Sequence, residues 1–80
     1  MEIKVLGPGC AKCKNLEHKV IDIIKNHSID ADFEKVSDIQ EIMKYGILMT
    51  PGLVINGKVK STGMLPKEEQ ILEWIREEMK

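Results

Sequence analysis

Gly7-Pro8-Gly9-Cys10-Ala11-Lys12-Cys13-Lys14-Asn15-Leu16 joins two stretches of different hydrophobic period in this 80-residue chain. Before it, Glu2-Ile3-Lys4-Val5-Leu6 is short, apolar-rich and closed off by Gly7-Pro8-Gly9, which predicts a strand ended by a turn. After it, Leu16, Val20, Ile23, Ile24 and His27 fall within about 100° of one another at 3.6 residues per turn, with Lys14, His18, Asp22 and Lys25 opposite. That spacing predicts an amphipathic helix over roughly 10–27. Cys10 and Cys13, the chain's two cysteines, therefore sit where a strand gives way to a helix.

Further along, Asp30 to Val36 reads as a second strand carrying Ala31, Phe33 and Val36, with Ile29 before it. Ser37 followed by Gln40 matches a capping box, and Ile39, Ile42 and Met43 continue at helical spacing up to Gly46, predicting a short helix over 38–45. Leu53-Val54-Ile55, then Asn56-Gly57, then Lys58 to Lys60 predicts a hairpin, because Asn-Gly tolerates the positive φ of a type I′ turn. Pro66 suits a first helical position, Glu68 and Glu69 suit the positive end of a helix dipole, and Ile71, Leu72, Ile75 and Met79 form an apolar stripe. The order β-α-β-α-β-β-α predicts a single α/β domain over 1–80. Its first two strands should be parallel and its hairpin antiparallel, in a mixed four-stranded sheet with helices on both faces. Lys4 fits poorly in a central strand, so one face near it is expected to be thinly covered.

Composition narrows the function classes. Twelve basic and thirteen acidic residues leave a net charge of -1, which gives no general attraction to phosphate backbones or anionic lipid. Neither nucleic acid nor membrane is an expected partner, since the longest apolar runs fall far short of the roughly 20 residues of a transmembrane helix. The first residues lack the apolar segment of a secretory signal, so a cytoplasmic protein is expected; a monomer is expected as well.

In that setting the cysteine spacing carries the chemistry. Both sulfurs fall in the first helical turn, close to unpaired backbone N–H groups, the positive end of the dipole and the Lys12 ammonium, all of which favour a thiolate. On a helical wheel Cys13 lies about 60° from Leu16, inside the buried stripe, while Cys10 is at its edge and nearer the open end. Cys10 is thus expected to attack a disulfide and Cys13 to resolve the product. A purely structural disulfide is the blander possibility, but a four-residue ring gives only about 2 kcal/mol against about 3 for fifteen residues. A zinc centre lacks ligands, because His18 projects about 140° away from Cys13 and His27 lies about 21 Å along the axis. His18 reads as a surface residue and His27 as a helix cap. Two thiolates suffice for copper(I), so a non-catalytic soft-metal carrier is the alternative class. Such carriers end in a strand, whereas Leu72 to Met79 is helical.

Gly9-Cys10-Ala11-Lys12-Cys13 after a strand, then Thr50-Pro51-Gly52-Leu53-Val54-Ile55-Asn56-Gly57-Lys58-Val59, Gly63 and a closing helix, together resemble the thioredoxin superfamily. The similarity covers nearly the whole chain and is nearest to small redox-active disulfide proteins of archaea and bacteria. It implies a minimal thioredoxin fold without the extra N-terminal strand and helix. It also implies a Pro51 in cis facing the cysteines, which turns the Thr50 backbone toward an extended substrate segment, and a site comprising Gly9, Cys10, Ala11, Lys12, Cys13, Thr50 and Pro51. The implied partners are protein disulfides and a thioredoxin-reductase-like electron donor, with no cofactor and no resident metal. The chain departs from typical thioredoxins in lacking Trp-Cys-Gly-Pro-Cys and an acid in the strand interior. It departs from glutaredoxins after the hairpin, where it reads Lys60-Ser61-Thr62-Gly63-Met64. Met49 and Met64 are candidates for an apolar rim beside Pro51.

Overall fold

Strand alternation sets the two sides of the molecule. In the computed structural model, which describes residues 1–79, β1 (Glu2–Leu6) sends Ile3 and Val5 to one face and Lys4 and Leu6 to the other. β1 pairs in parallel with β2 (Asp32–Val36) and antiparallel with β3 (Gly52–Ile55), which pairs antiparallel with β4 (Lys58–Thr62). The sheet order is β2-β1-β3-β4. On the Ile3 face pack α1 (Ala11–Asn26), through Leu16, Val20 and Ile23, and α3 (Glu68–Glu78), through Ile71 and Ile75. On the Leu6 face the short α2 (Ile39–Met43) contributes Ile42, which joins Ile47 and Val54 in a smaller cluster. The architecture is the mixed four-stranded sheet with three helices that the sequence predicts.

The hairpin turn also fastens the sheet. Asn56 and Gly57 both have positive φ, at 51° and 80°. The Asn56 side-chain oxygen accepts from the Glu2 N–H at 3.0 Å, and the Asn56 N–H donates to the Glu2 carbonyl at 2.8 Å. One turn residue therefore closes the hairpin and ties it to the start of β1.

Lys4 shows why a cation is tolerated in a central strand. The thin α2 face leaves its side chain 25% exposed, and its ammonium donates to the Tyr45 hydroxyl at 3.2 Å while pairing with Glu34 and Glu2 at 3.5 and 3.7 Å. Glu34 is its register partner on β2. The Tyr45 hydrogen bond, followed by the electrostatic pull of Tyr45 and of Glu34, raises the Lys4 pKa above its ordinary value.

Several boundaries differ from expectation. The predicted helix over 10–27 is Ala11–Asn26, with Cys10 and His27 as its caps, and His27 is exposed rather than part of the buried stripe. β2 begins at Asp32, not Asp30. Ser37 does not cap α2; Asp38 does, its carboxylate accepting from the Gln40 N–H at 2.9 Å. Adjacent Ser and Asp are both competent caps, and the ionised one makes the stronger bond to a backbone N–H. Three-residue backbone bonds from Lys44, Tyr45 and Gly46 then tighten the helix to a close, leaving Ile39 and Met43 exposed. Pro66 precedes α3 rather than opening it, since the first helical bonds return to the Lys67 carbonyl. The Pro66 carbonyl accepts instead from Lys19 at 3.0 Å. Met79 is exposed, and Trp74 packs on the core in its place.

A bulge between Leu53 and Val54 in the β3-β4 pairing accompanies two polar features of the hairpin. Lys60 and Glu78 form a half-buried ion pair at 2.9 Å, with Lys58 on the same carboxylate at 3.4 Å. The Lys60 hydrogen bond is the largest cause of a lowered Glu78 pKa. A lowered folded-state pKa gives stability that is full above the ordinary carboxylate value of about 4.3 and is lost as pH falls through the folded-state value. Acid unfolding of Glu78→Gln should show a flatter pH dependence below about pH 4.5 than the parent. An unchanged slope would mean that the pair contributes nothing to acid stability. Ser61, across from Leu53 and facing the core, has no hydrogen-bond partner for its hydroxyl among the described residues. An unpaired buried hydroxyl costs about 1–3 kcal/mol, so Ser61→Ala should raise the melting temperature, and a fall would show that the hydroxyl is satisfied.

Candidate active site

The turn Gly7-Pro8-Gly9 carries the chain from the sheet to α1 and sets the two cysteines at different depths. Gly7 is still tied to the sheet, its N–H donating to the Val36 carbonyl at 2.8 Å. Gly9 has φ 101°, a backbone region that favours glycine, and this turns the chain into the N-cap. Cys10 is that N-cap, exposed and extended, and its Sγ accepts from the Cys13 N–H at 3.2 Å. An unpaired helix N–H therefore points at this sulfur, as stabilisation of a thiolate requires. Cys13, one turn on, is 1% exposed beneath it. The two form a disulfide with Cα atoms 5.0 Å apart. Ala11 and Lys12 are exposed, and no ion pair or hydrogen bond engages the Lys12 side chain among the described residues.

The second part of the site comes from the loop before β3. The Thr50-Pro51 peptide bond is cis and Pro51 is buried. A Cβ at Gly7 would stand 3.1 Å from the Cys13 Cβ and 3.8 Å from the Thr50 Cβ, so Thr50 and Cys13 both flank Gly7. The structure thus brings Cys10, Cys13 and Thr50 together, with Gly9, Ala11, Lys12 and Pro51 alongside in the chain. The Pro51 carbonyl accepts from the Gly63 N–H at 2.8 Å, which holds the loop to the end of β4. Met49 lies against Gly63, close to the position its Cβ would take, while remaining 63% exposed. Leu48 beside it is 99% exposed, and Met64 is also exposed. Sequence reasoning named Met49 and Met64 but missed Leu48 and Gly7. For Gly7 no signal distinguished a glycine needed for space from one needed for a turn.

A family model described as "Thioredoxin domain" matches residues 1–76. The chain belongs to the thioredoxin family. It is 37% identical to a protein named thioredoxin from Methanothermobacter thermautotrophicus over 71 residues, covering 89% of this chain and 92% of that protein. It is 31% identical over 74 residues to a thioredoxin from Methanocaldococcus jannaschii, covering 92% and 85% respectively. A second M. thermautotrophicus protein, named a probable thioredoxin, is 30% identical over 76 residues. With the Cys10–Cys13 disulfide at the start of α1, the activity of this thioredoxin-family chain is thiol-disulfide exchange, in which it serves as a redox carrier. Protein disulfides as substrates and a reductase as electron source follow from that membership. Residues 72–78 lie in the helix α3, not in the strand expected of the soft-metal carrier class.

The depth difference makes a prediction about the reduced protein. Limiting iodoacetamide should alkylate Cys10 well before Cys13, and trypsin, cutting after Lys12, separates the two cysteines for mass spectrometry. Prior labelling of Cys13 would contradict the geometry.

Proposed function

We propose that Cys10 is the attacking group and Cys13 the resolving group of this oxidoreductase, and that the Thr50 backbone aligns the substrate. The observation that carries this is the pairing of an exposed N-cap sulfur, hydrogen-bonded by a helix N–H, with a nearly inaccessible second sulfur. The Cys10 thiolate attacks one sulfur of a target disulfide; the new S–S bond forms as the target's other sulfur leaves as a thiolate and takes a proton. Cys13, deprotonated, then attacks the Cys10 sulfur and expels the second target thiol. The Cys10–Cys13 disulfide remains, and two electrons and two protons have passed to the target. Two electrons from a thioredoxin-reductase-like protein restore the dithiol.

Backbone pairing supports the role of Thr50. Its N–H and C=O form no backbone hydrogen bond among the described residues, although the chain enters the ladder two residues later at Gly52. An extended segment laid beside Cys10 can use these groups as an added strand would. Gly9, with no side chain, leaves the approach to Cys10 open, and Ala11 and Lys12 flank it. The described helices include none long and apolar enough to cross a membrane. We read the protein as a cytoplasmic monomer acting on other proteins.

Insulin reduction with dithiothreitol as donor tests the roles. Cys10→Ser should lose the activity, and Cys13→Ser should accumulate a mixed disulfide on Cys10 that non-reducing mass spectrometry detects. Full activity in Cys10→Ser, or an adduct that accumulates on Cys13 of Cys10→Ser and not on Cys10 of Cys13→Ser, would reverse the assignment.

A further inference from the structure

Gly7 has an ordinary backbone conformation, so its lack of a side chain answers a demand of space. A Cβ built there would overlap Cys13 Sγ outright and press on the Cys13 Cβ at 3.1 Å. Neither neighbour is free to retreat. Gly7 is buried at the end of β1 and held to Val36, next to the fully buried Leu6. Cys13 is carried by a helix whose Leu16, Val20 and Ile23 are locked in the main core. Packed elements of this kind do not open by an ångström to admit a methyl group.

We propose that Gly7 is a positioning residue for the redox couple: its empty side-chain position is the seat into which Cys13 Sγ must fit for the disulfide to exist. The inference rests on thiol-disulfide exchange being the activity, and it concerns which redox state the fold favours. In the disulfide, Cys13 Sγ is bonded to Cys10 Sγ and cannot leave the space beside Gly7. In the dithiol, that bond is absent and the thiol can turn about its Cα–Cβ bond to another staggered position. The pressure on the Cys13 Cβ is common to both states, whereas the overlap with Sγ is confined to the oxidised one. A methyl group at position 7 therefore penalises the disulfide selectively and makes the protein a stronger oxidant. The proposal assigns no role to Gly7 in touching the substrate.

The test is Gly7→Ala equilibrated with mixtures of reduced and oxidised dithiothreitol. In that reaction the small dithiol loses two electrons and two protons and becomes cyclic, and the Cys10–Cys13 disulfide gains them as two thiols. The equilibrium should shift at least tenfold toward the protein dithiol, or about 30 mV for this two-electron couple. Thermal unfolding of both forms gives an independent measure, because the cycle requires the oxidised form to lose more stability than the reduced form. A variant that folds only when reduced would bear out the proposal in its extreme form. An unchanged equilibrium with equal losses in both forms would overturn it, as would a variant that folds in neither. Placing Gly7→Ala in a Cys13→Ala background removes Sγ, the atom that the new methyl would overlap, and leaves only the closer approach to the Cβ. The substitution should then be far better tolerated, and an undiminished cost there would also overturn the proposal. Loss of insulin reduction by the parent would contradict the underlying activity and leaves these equilibrium readings intact.

Discussion

The packing of Leu16, Val20 and Ile23 of α1 against Ile3 and Val5 of β1 is the constraint from which the site follows. Strand and helix are joined by only four residues, Gly7 to Cys10. Once their apolar faces are pressed together, the connection has little freedom left, and the depth of each sulfur is determined by its place along it. Cys10 caps the helix from outside, while Cys13 lies on the buried face one turn before Leu16. Full burial of each large aliphatic side chain contributes about 1.5–3 kcal/mol. A four-residue disulfide ring contributes about 2 kcal/mol. The core therefore outweighs the bond, and the fold carries the disulfide rather than depending on it.

The sheet's other face explains features that look like faults in isolation. α2 is barely more than one turn and buries only Ile42, so the Leu6 face is apolar near the site end and polar toward the far end. Lys4 falls on the polar side of that divide, where Tyr45, Glu34 and Glu2 surround its ammonium. Lys4 is thus engaged with carboxylates and a phenol. The geometry gives it structural partners, none of which is a sulfur.

Legibility of the sequence followed how many residues each feature spans. The α1 stripe and the Asn-Gly hairpin were readable because a repeated period, or a dipeptide with one favoured conformation, states the local geometry. The resemblance supplied the cis Thr50-Pro51 bond, which spacing alone does not encode. Features set by a partner distant in the chain were not readable. Asp38 over Ser37 as a cap is a choice between two adjacent competent residues that the sequence pattern does not decide, whereas Trp74 over Met79 on the core and the second role of Asn56 at Glu2 each depend on tertiary packing. Gly7 belongs with them, since its requirement for space comes from a sulfur that the helix brings back over it.

The first turn of α1 departs from the charge placement seen at the start of α3. It contains no acidic residue and carries Lys12 and Lys14 at the positive end of the dipole, whereas α3 begins with Glu68 and Glu69. Each misplaced charge costs about 0.3–1 kcal/mol at an exposed helix end. The buried stripe of the same helix provides several times that sum, so the helix can bear the loss. What the lysines supply in return is positive charge beside Cys10, in the same direction as the Cys13 N–H and the dipole. All three favour the ionised over the protonated sulfur. The violation falls on the turn where we propose that a thiolate forms, which is where a locally unfavourable choice is expected to have a functional reason.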